Sequence, residues 1–364
     1  MASLEYQESD FVVINRRVSM TMQPTPFKKE PVAVSDKIVR GILNFGDDDS
    51  HAVPFLWQRN AGKLYLDLNR NRDLTDDPSG VFSTRVTYPD YFQIFTNIHL
   101  AFQTASGRYQ ALANMEFWDY GSKPNCILMV RSFWQGKVAL QGRDWQAGIV
   151  QNDSDHPGSF ENGRLLLRPW ETRNRPFNAD DGTLATVPLT RKIFVDGHAY
   201  KLDCVVSSQN GEARPALQFT EQSVPLGALN ITGQFIHRLV LTGGPYLVVL
   251  DGPAGVVKVP IGSYIQPDVL LEQNGVETFC QASQQQAGRQ ISVDGKTTAV
   301  LQVGGQLKNS VIASRHGRDL RLDYRLLGVG GETYQLAFQN RSKPPQFEIY
   351  KGAEKIASGT FEFG

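Results

Sequence analysis

The chain has 364 residues, 41% of them hydrophobic and 20% charged, so it is long enough to fold into about two or three domains with ordinary apolar cores. Its 37 basic and 37 acidic residues balance, which argues against a nucleic-acid partner, because such partners favour a basic protein surface. No apolar run approaches the roughly 20 residues that a membrane-spanning helix needs, so no membrane span is expected.

Short runs of alternating hydrophobic residues, bounded by Gly, Asp, Asn or Pro, recur from residue 37 onward. Runs of about 4–8 residues with turn chemistry between them are typical of antiparallel sandwiches and barrels. We therefore predict an all-β protein made of tandem antiparallel β-sandwich or barrel domains. The predicted strands lie at 38–45, 53–57, 64–68, 93–102, 109–117, 127–133, 137–140, 146–150, 216–219, 239–241, 246–250, 256–259, 268–272, 298–303, 310–315, 319–327, 333–339, 346–350 and 355–363.

Changes in composition divide the chain into predicted segments. Residues 1–36 are weakly patterned and contain three prolines, which indicates an extended N-terminal arm with one strand near 10–15. Residues 37–185 form a predicted Trp-rich β domain, and 186–275 a small β domain whose first hairpin turns at Asp196-Gly197. Residues 290–364 predict an immunoglobulin-like or fibronectin-like sandwich.

One stretch carries a clear chemical signal, because the strand-like residues 63–66 run into a loop with oxygen-bearing side chains at alternate positions. A calcium ion takes about six to eight oxygen ligands, and a tight loop supplies them from every second residue. The predicted ligands are Asp67, Asn69, Asn71, Asp73, Thr75 and Asp77. Leu74 is the predicted apolar anchor that holds this loop on a core. We therefore predict calcium as the cofactor.

In this register the loop resembles the calcium loops of EF-hand, dockerin and thrombospondin type-3 repeats. Two positions depart from that pattern. Arg72 stands sixth, where glycine normally makes the sharp turn, and a left-handed conformation there costs another residue about 1 kcal/mol. Pro78 stands twelfth, so the usual bidentate acid is missing and Asp76 or Asp77 would have to replace it. The alternative interpretation is a metal-free turn in which Asp and Asn side chains bond their own backbone.

Two further acidic turns, at 152–160 and 178–183, lack the full alternation of oxygen-bearing side chains and are interpreted as plain turns.

The whole predicted layout of domains resembles exported bacterial proteins that are built from several β-sandwiches. This resemblance implies an architecture of several β-sandwiches and implies no biochemical activity.

All five tryptophans lie in the first half of the chain. Flat aromatic rings stack on sugars, so the candidate glycan-binding residues are Trp57, Trp118, Trp134 and Trp145. The alternative is that these indoles fill a large sandwich core. The pairs Phe117-Trp118 and Phe133-Trp134 are each expected to place one ring inside the domain and the other outside.

No pattern typical of catalysis stands out. The six histidines lie singly, no Gly-x-Ser-x-Gly elbow occurs, and no Gly-rich phosphate loop joins a strand to a helix. Cys126, Cys204 and Cys280 are far apart in the sequence, so one disulfide is possible and buried free thiols are the favoured interpretation. An enzyme is therefore the less favoured interpretation.

The leading hypothesis is a non-enzymatic protein, stiffened by calcium, that forms part of a surface, matrix or filament. Residues 1–20 lack the charged-then-apolar pattern of a signal peptide, so either the protein is intracellular or its leader has been removed. Calcium loops work where calcium is plentiful, so the favoured location is extracellular or periplasmic, with the leader absent from this chain. The Pro-rich arm or open sheet edges would mediate self-assembly. The alternatives are a carbohydrate-binding module or glycan-active enzyme, and an accessory or adhesin domain with a protein partner.

Overall fold

The computed structural model describes residues 1–23, 27–32, 37–46, 49–84, 91–121, 123–151, 160, 163–177, 182–265, 267–281, 290–317, 319–336 and 344–361. Over these residues the protein is all-β, as predicted, and its sheets have the character of β-sandwiches rather than of a closed barrel. Single 3-10 turns lie at Asp49–His51, Pro78–Gly80 and Trp170–Thr172. None of the described helical turns has the length or apolar character needed to cross a membrane.

The chain divides into two compact units. Unit 1 comprises Met1–Ala179, Ala185–Leu189 and Asp203–Gln218. Unit 2 comprises Asp180–Leu184, Thr190–Leu202 and Phe219–Gly364. Strands β16 (His198–Gln209) and β17 (Glu212–Gln222) contribute residues to both, so the predicted segment 186–275 supplies chain to each unit.

Unit 1 contains the N-terminal strands. They are β1 (Ala2–Ser3), β2 (Glu5–Glu8), β3 (Ile14–Met22), β4 (Ile38–Asn44), β5 (Ala52–Gln58), β6 (Lys63–Leu66), β7 (Val81–Ser83), β8 (Phe92–Thr104), β9 (Gly107–Trp118), β10 (Asn125–Val130), β11 (Ser132–Leu140), β12 (Arg143–Val150), β13 (Arg164–Pro169) and β14 (Thr186–Pro188). An antiparallel sheet runs in the order β7-β6-β5-β4-β3-β10-β9-β8. A second sheet runs β14-β13-β12-β11-β2. Tyr109 of β9 and Trp134 of β11 join the two sheets through rings 5.3 Å apart.

The described part of the predicted N-terminal arm is built into these sheets. β2 pairs with β11, and β3 lies inside the larger sheet between β10 and β4. The strand expected near 10–15 therefore begins later, at Ile14, and extends to Met22. The hydrophobic pattern did not predict the full extent of β3 because Arg16 points inward. This residue is buried and places its guanidinium 5.9 Å from the Phe45 ring centroid.

Unit 2 holds most of the remaining strands. They are β15 (Lys192–Val195), β18 (Leu226–Ile231), β19 (Ile236–Leu241), β20 (Leu247–Asp251), β21 (Gly255–Pro260), β22 (Gly262–Tyr264), β23 (Asp268–Gln273), β24 (Val276–Cys280), β25 (Ile291–Val293), β26 (Thr298–Leu301), β27 (Lys308–His316), β28 (Asp319–Leu327), β29 (Thr333–Leu336), β30 (Gln346–Lys351) and β31 (Glu354–Thr360). The predicted hairpin is present: β15 pairs with β16 through a turn in which Asp196 and Gly197 have φ of 52° and 79°. Positive φ at both central residues is what a tight type I′ turn requires.

The core of unit 2 lies among β19, β20, β23 and the three-stranded sheet β21-β18-β26. Leu239, Val248 and Val269 from neighbouring strands are completely buried there. The hairpins β27–β28 and β30–β31 form in the predicted C-terminal region, and none of their described residues is buried.

Candidate functional site

The candidate calcium loop begins where β6 leaves its pairing with β5. The Asp67 amide donates a hydrogen bond to the Pro54 carbonyl oxygen at 2.9 Å, which fixes the first predicted ligand against the sheet. The loop closes in the 3-10 turn Pro78–Gly80. A Cβ atom on Gly80 would lie 2.2 Å from the Leu66 carbonyl oxygen, so only glycine lets the end of the loop return to its start.

Side-chain oxygens at alternate residues each accept a hydrogen bond from the amide two residues further on. Asn69 Oδ1 accepts from the Asn71 N–H at 3.0 Å, and Asn71 Oδ1 accepts from the Asp73 N–H at 2.6 Å. Asp73 Oδ1 accepts from the Thr75 N–H at 2.8 Å and from the Thr75 hydroxyl at 2.6 Å. These bonds are the ones that a metal-free Asx turn makes, so by themselves they do not decide between the two interpretations.

The residues between these side chains take the left-handed conformation. Arg70 has φ of 61° and Arg72 has φ of 67°, so the sixth position adopts the strained geometry expected of it. The Arg72 amide donates to Asp67 Oδ2 at 2.9 Å, and its carbonyl oxygen accepts from the Lys28 N–H at 2.8 Å. These two bonds hold a conformation that costs each non-glycine residue about 1–2 kcal/mol.

Two carboxylates of the loop are buried, and hydrogen bonds do not satisfy all of their oxygen atoms. Asp67 is 0% exposed and Asp77 is 6% exposed, and Asp67 Oδ1 and Asp77 Oδ2 have no hydrogen-bond partner among the described residues. Burial raises the pKa of Asp77, and the negative charges of Asp67 and Asp76 raise it further against hydrogen bonds from the Asn69 and Leu68 backbone. An unpaired buried charge is costly, so a cation bound at this end of the loop would offset that cost.

Arg70, the first basic residue of the loop after Asp67, contacts β8 instead. Arg70 donates to the Ala101 carbonyl oxygen at 2.9 Å and places its guanidinium 5.0 Å from the Phe102 ring centroid. Burial lowers the pKa of Arg70, and the charge of Asp67 only partly offsets that effect. Arg70 thus ties the loop to β8 and forms no ion pair with Asp67 in the described structure.

The predicted ligand residues of the loop lie in different settings. Hydrogen bonds from Thr75 lower the pKa of Asp73, and the Lys29 ammonium lies 3.7 Å from Asp73 Oδ2. Across the described residues, no three side chains of His, Cys, Asp and Glu gather around one point. A cation here would therefore combine the carboxylates of Asp67 and Asp77 with amide, hydroxyl and backbone oxygens.

Two features of the loop bear on how it is held. Leu74 is 3% exposed and lies in a small core with Leu56 and Tyr65, which confirms its predicted role as the apolar anchor. Asp76, one of the two acids considered as a replacement for the missing bidentate ligand, accepts hydrogen bonds from the side-chain amides of Asn69 and Asn71. Ligand spacing alone does not indicate these bonds, because Asp76 falls outside the alternate positions.

The tryptophans expected to form a sugar platform are mostly core residues. Trp57, Trp134 and Trp145 are buried, which argues against a glycan surface built from them, and Trp118 is half-buried. The Trp57 indole N–H donates to Gln93 Oε1 at 2.7 Å, which satisfies its polar atom inside the unit.

The expected alternation of aromatic rings fails at one of the two pairs. Phe133 and Trp134 are both buried, because Phe133 packs on Phe177 and Trp134 packs on Tyr109, with ring centroids 5.1 and 5.3 Å apart. A strand covered on both faces leaves neither ring of such a pair outside.

The remaining predicted features are the three cysteines and the two further acidic turns. The three cysteines are free thiols, as expected, with Cys126 and Cys280 buried and Cys204 half-buried. Of the two further acidic turns, residues 152–159 and 178–181 lie outside the described part of the chain. No protein-family model, curated protein or solved structure matches this sequence or fold.

Proposed function

We propose that this chain is a non-enzymatic β protein of the extracellular or periplasmic space, stiffened by a calcium ion in the 67–77 loop, that forms part of a surface, matrix or filament. The observation that carries the proposal is the burial of Asp67 and Asp77, each with one carboxylate oxygen that lacks a hydrogen-bond partner in the described part of the chain. A metal-free turn gains nothing from burying two such carboxylates close enough to repel each other.

Calcium fits the donor set better than other biological metals. The loop offers oxygen atoms only, and its acidic residues outnumber its basic ones: Asp67, Asp73, Asp76 and Asp77 against Arg70 and Arg72. Hard cations take carboxylate, amide and backbone oxygens, whereas zinc and copper favour nitrogen and sulfur. Calcium also tolerates an irregular shell of about six to eight oxygens, while magnesium demands near-ideal octahedral geometry.

Binding would act on stability, since the loop presents no group placed for hydrolysis. A ligand that binds only the folded chain stabilises it by about 2.7 kcal/mol when its concentration is about 100 times its dissociation constant. Because calcium is abundant outside the cytoplasm, such a site would be filled there. This consideration supports the proposed location.

Self-assembly would use open sheet edges, because β2 and β3 of the N-terminal segment are already paired within unit 1. In unit 2, β27 pairs only with β28 among the described strands, so its outer edge offers free backbone groups to a second copy. Val311 and Leu320 on this hairpin are 48% and 51% exposed. Analytical ultracentrifugation across a concentration series tests this part, and a monomer at the highest concentration would contradict it.

Thermal unfolding in calcium and in chelator tests the metal site. We expect calcium to raise the melting temperature of the full chain by roughly 5–10 °C, taking about 2–4 °C per kcal/mol. Asp67→Asn and Asp77→Asn should each remove that response. Asp10→Asn is the matched control, because Asp10 lies in unit 1 with its side chain 99% exposed. Equal melting curves with calcium and with chelator would dispose of the proposal.

A further inference from the structure

Asp76 makes two hydrogen bonds that join it to two predicted calcium ligands. Its Oδ1 accepts from Asn69 Nδ2 at 3.1 Å, and its Oδ2 accepts from Asn71 Nδ2 at 2.7 Å. Both donors are side-chain amides, and both belong to alternate positions of the 67–77 loop. One exposed carboxylate therefore bridges the third and fifth positions of the candidate calcium site.

These bonds determine which end of each amide serves the site. An asparagine side chain has an NH₂ group and a carbonyl oxygen of nearly equal size, and only the oxygen can ligate a cation. With Nδ2 of Asn69 and Asn71 held by Asp76, each Oδ1 is turned away from that carboxylate. Each Oδ1 accepts one backbone N–H, which leaves a second lone pair for an ion.

We propose that Asp76 is a positioning residue of the calcium site: it does not ligate the ion but holds Asn69 and Asn71 with their carbonyl oxygens available to it. The inference rests on the proposed calcium function and adds a specific residue to it. Outer-shell groups that orient metal ligands typically affect metal affinity by about 10–100-fold.

The contacts distinguish this role from direct coordination. Both oxygens of Asp76 already accept N–H groups, whereas Asp67 and Asp77 each keep a buried oxygen without a partner. Asp76 is also exposed, while Asp67 and Asp77 are buried. Removing a ligand such as Asp67 should abolish binding, and removing Asp76 should weaken it.

Isothermal titration of calcium chloride into the full chain provides the test, with a double-mutant cycle. Asp76→Asn places its own NH₂ group against one of the two asparagine amides, so we expect about 10–100-fold weaker binding. Asn69→Asp alone sets two carboxylates against each other. The double variant Asn69→Asp/Asp76→Asn has the wild-type net charge and restores a donor–acceptor pair, so it should bind more tightly than the two single effects predict.

The outcomes separate this inference from the calcium proposal. If the wild type does not bind calcium, both the calcium proposal and the positioning role of Asp76 are wrong. Wild-type binding with unchanged affinity in Asp76→Asn and Asp76→Ala would overturn the positioning role alone. Additive effects in the cycle would also overturn it, because two residues that act through a shared hydrogen bond are expected to show an interaction energy. Melting of each calcium-free variant verifies that it folds, and the exposed Asp76→Ala variant serves if the double variant does not.

Discussion

The backbone of Lys29 lies beside that of Asp73 in an isolated parallel bridge. The Lys28 amide donates to the Arg72 carbonyl oxygen at 2.8 Å, and the Leu74 amide donates to the Lys29 carbonyl oxygen at 3.1 Å. The segment that precedes β4 is thus held by the candidate calcium loop itself.

This contact predicts that calcium protects the segment from trypsin, which cleaves after lysine. Filling the loop should slow cleavage after Lys28 and Lys29, because the partners of both residues lie on the loop. Mass spectrometry of timed digests with calcium and with chelator measures the effect. Cleavage after the exposed Lys296 of unit 2 is the internal control and should not respond. Equal rates at Lys28 with and without calcium would contradict the coupling.

Leu74→Ala should destabilise unit 1. The side chain is 3% exposed and packs with Leu56 and Tyr65, so truncation should lower the free energy of unfolding by about 2–5 kcal/mol. Urea denaturation measures the change. Val81→Ala provides a control in the same unit, because Val81 is 40% exposed and should change stability by no more than about 0.5 kcal/mol. A Leu74 variant as stable as the control would show that the loop is not anchored there.

The pKa of Asp77 predicts a pH dependence with a definite sign. In the ion-free protein burial raises this pKa above the ordinary 3.8, so the folded chain holds the proton more tightly than the unfolded chain. Asp77 should therefore destabilise the ion-free protein at neutral pH. That loss should fade as the pH falls through the raised pKa.

Urea denaturation in chelator, from neutral pH toward about pH 4, checks this sign against Asp77→Asn, which cannot titrate. The stability of the wild type relative to that variant should rise as the pH falls. Calcium requires the ionised carboxylate, so its affinity should fall over the same range. A wild type that loses stability relative to Asp77→Asn on acidification of the ion-free protein would contradict the raised pKa.

Asp251→Ala should strongly destabilise unit 2. Arg238 is buried, and its guanidinium donates to both carboxylate oxygens of Asp251, at 2.6 and 3.0 Å, and to the Leu184 carbonyl oxygen at 2.9 Å. Leaving that cation without its carboxylate should cost about 3–5 kcal/mol.

The exposed pair Arg325–Asp323 supplies the comparison, since Asp323→Ala should cost no more than about 1 kcal/mol. Chemical denaturation of the two variants measures the difference. Similar losses in both would mean that Asp251 does not compensate the buried charge.

Much of the strand layout followed from alternation and turn residues. The run at 38–45 became β4, and the Asp196-Gly197 turn formed the predicted hairpin, because both depend on local backbone chemistry. β3 was misplaced because Arg16 points inward, and hydrophobic patterning assumes that charged residues point outward. The burial of Trp134 likewise depends on a second covered face, which lies in tertiary packing rather than in local sequence.

The candidate site divides in the same way. Ligand spacing identified the alternate oxygen-bearing residues, whose side chains accept backbone N–H groups, and the anchor Leu74, since a loop of this kind is a local structure. Their role as calcium ligands stays a prediction. Spacing could not predict that Asp67 and Asp77 are left with unpaired buried oxygens, or that Asp76 spans Asn69 and Asn71. Those facts depend on how the loop folds back on itself and onto the sheet.

Arg70 leaves the loop after β6 and rests on Phe102 of β8, although those two strands stand second and last in the order of the larger sheet. This contact couples the loop after β6 to β8, because separating either one from the sheet also strains the other. Arg70 thereby links the loop to the last strand of this sheet through a single side chain.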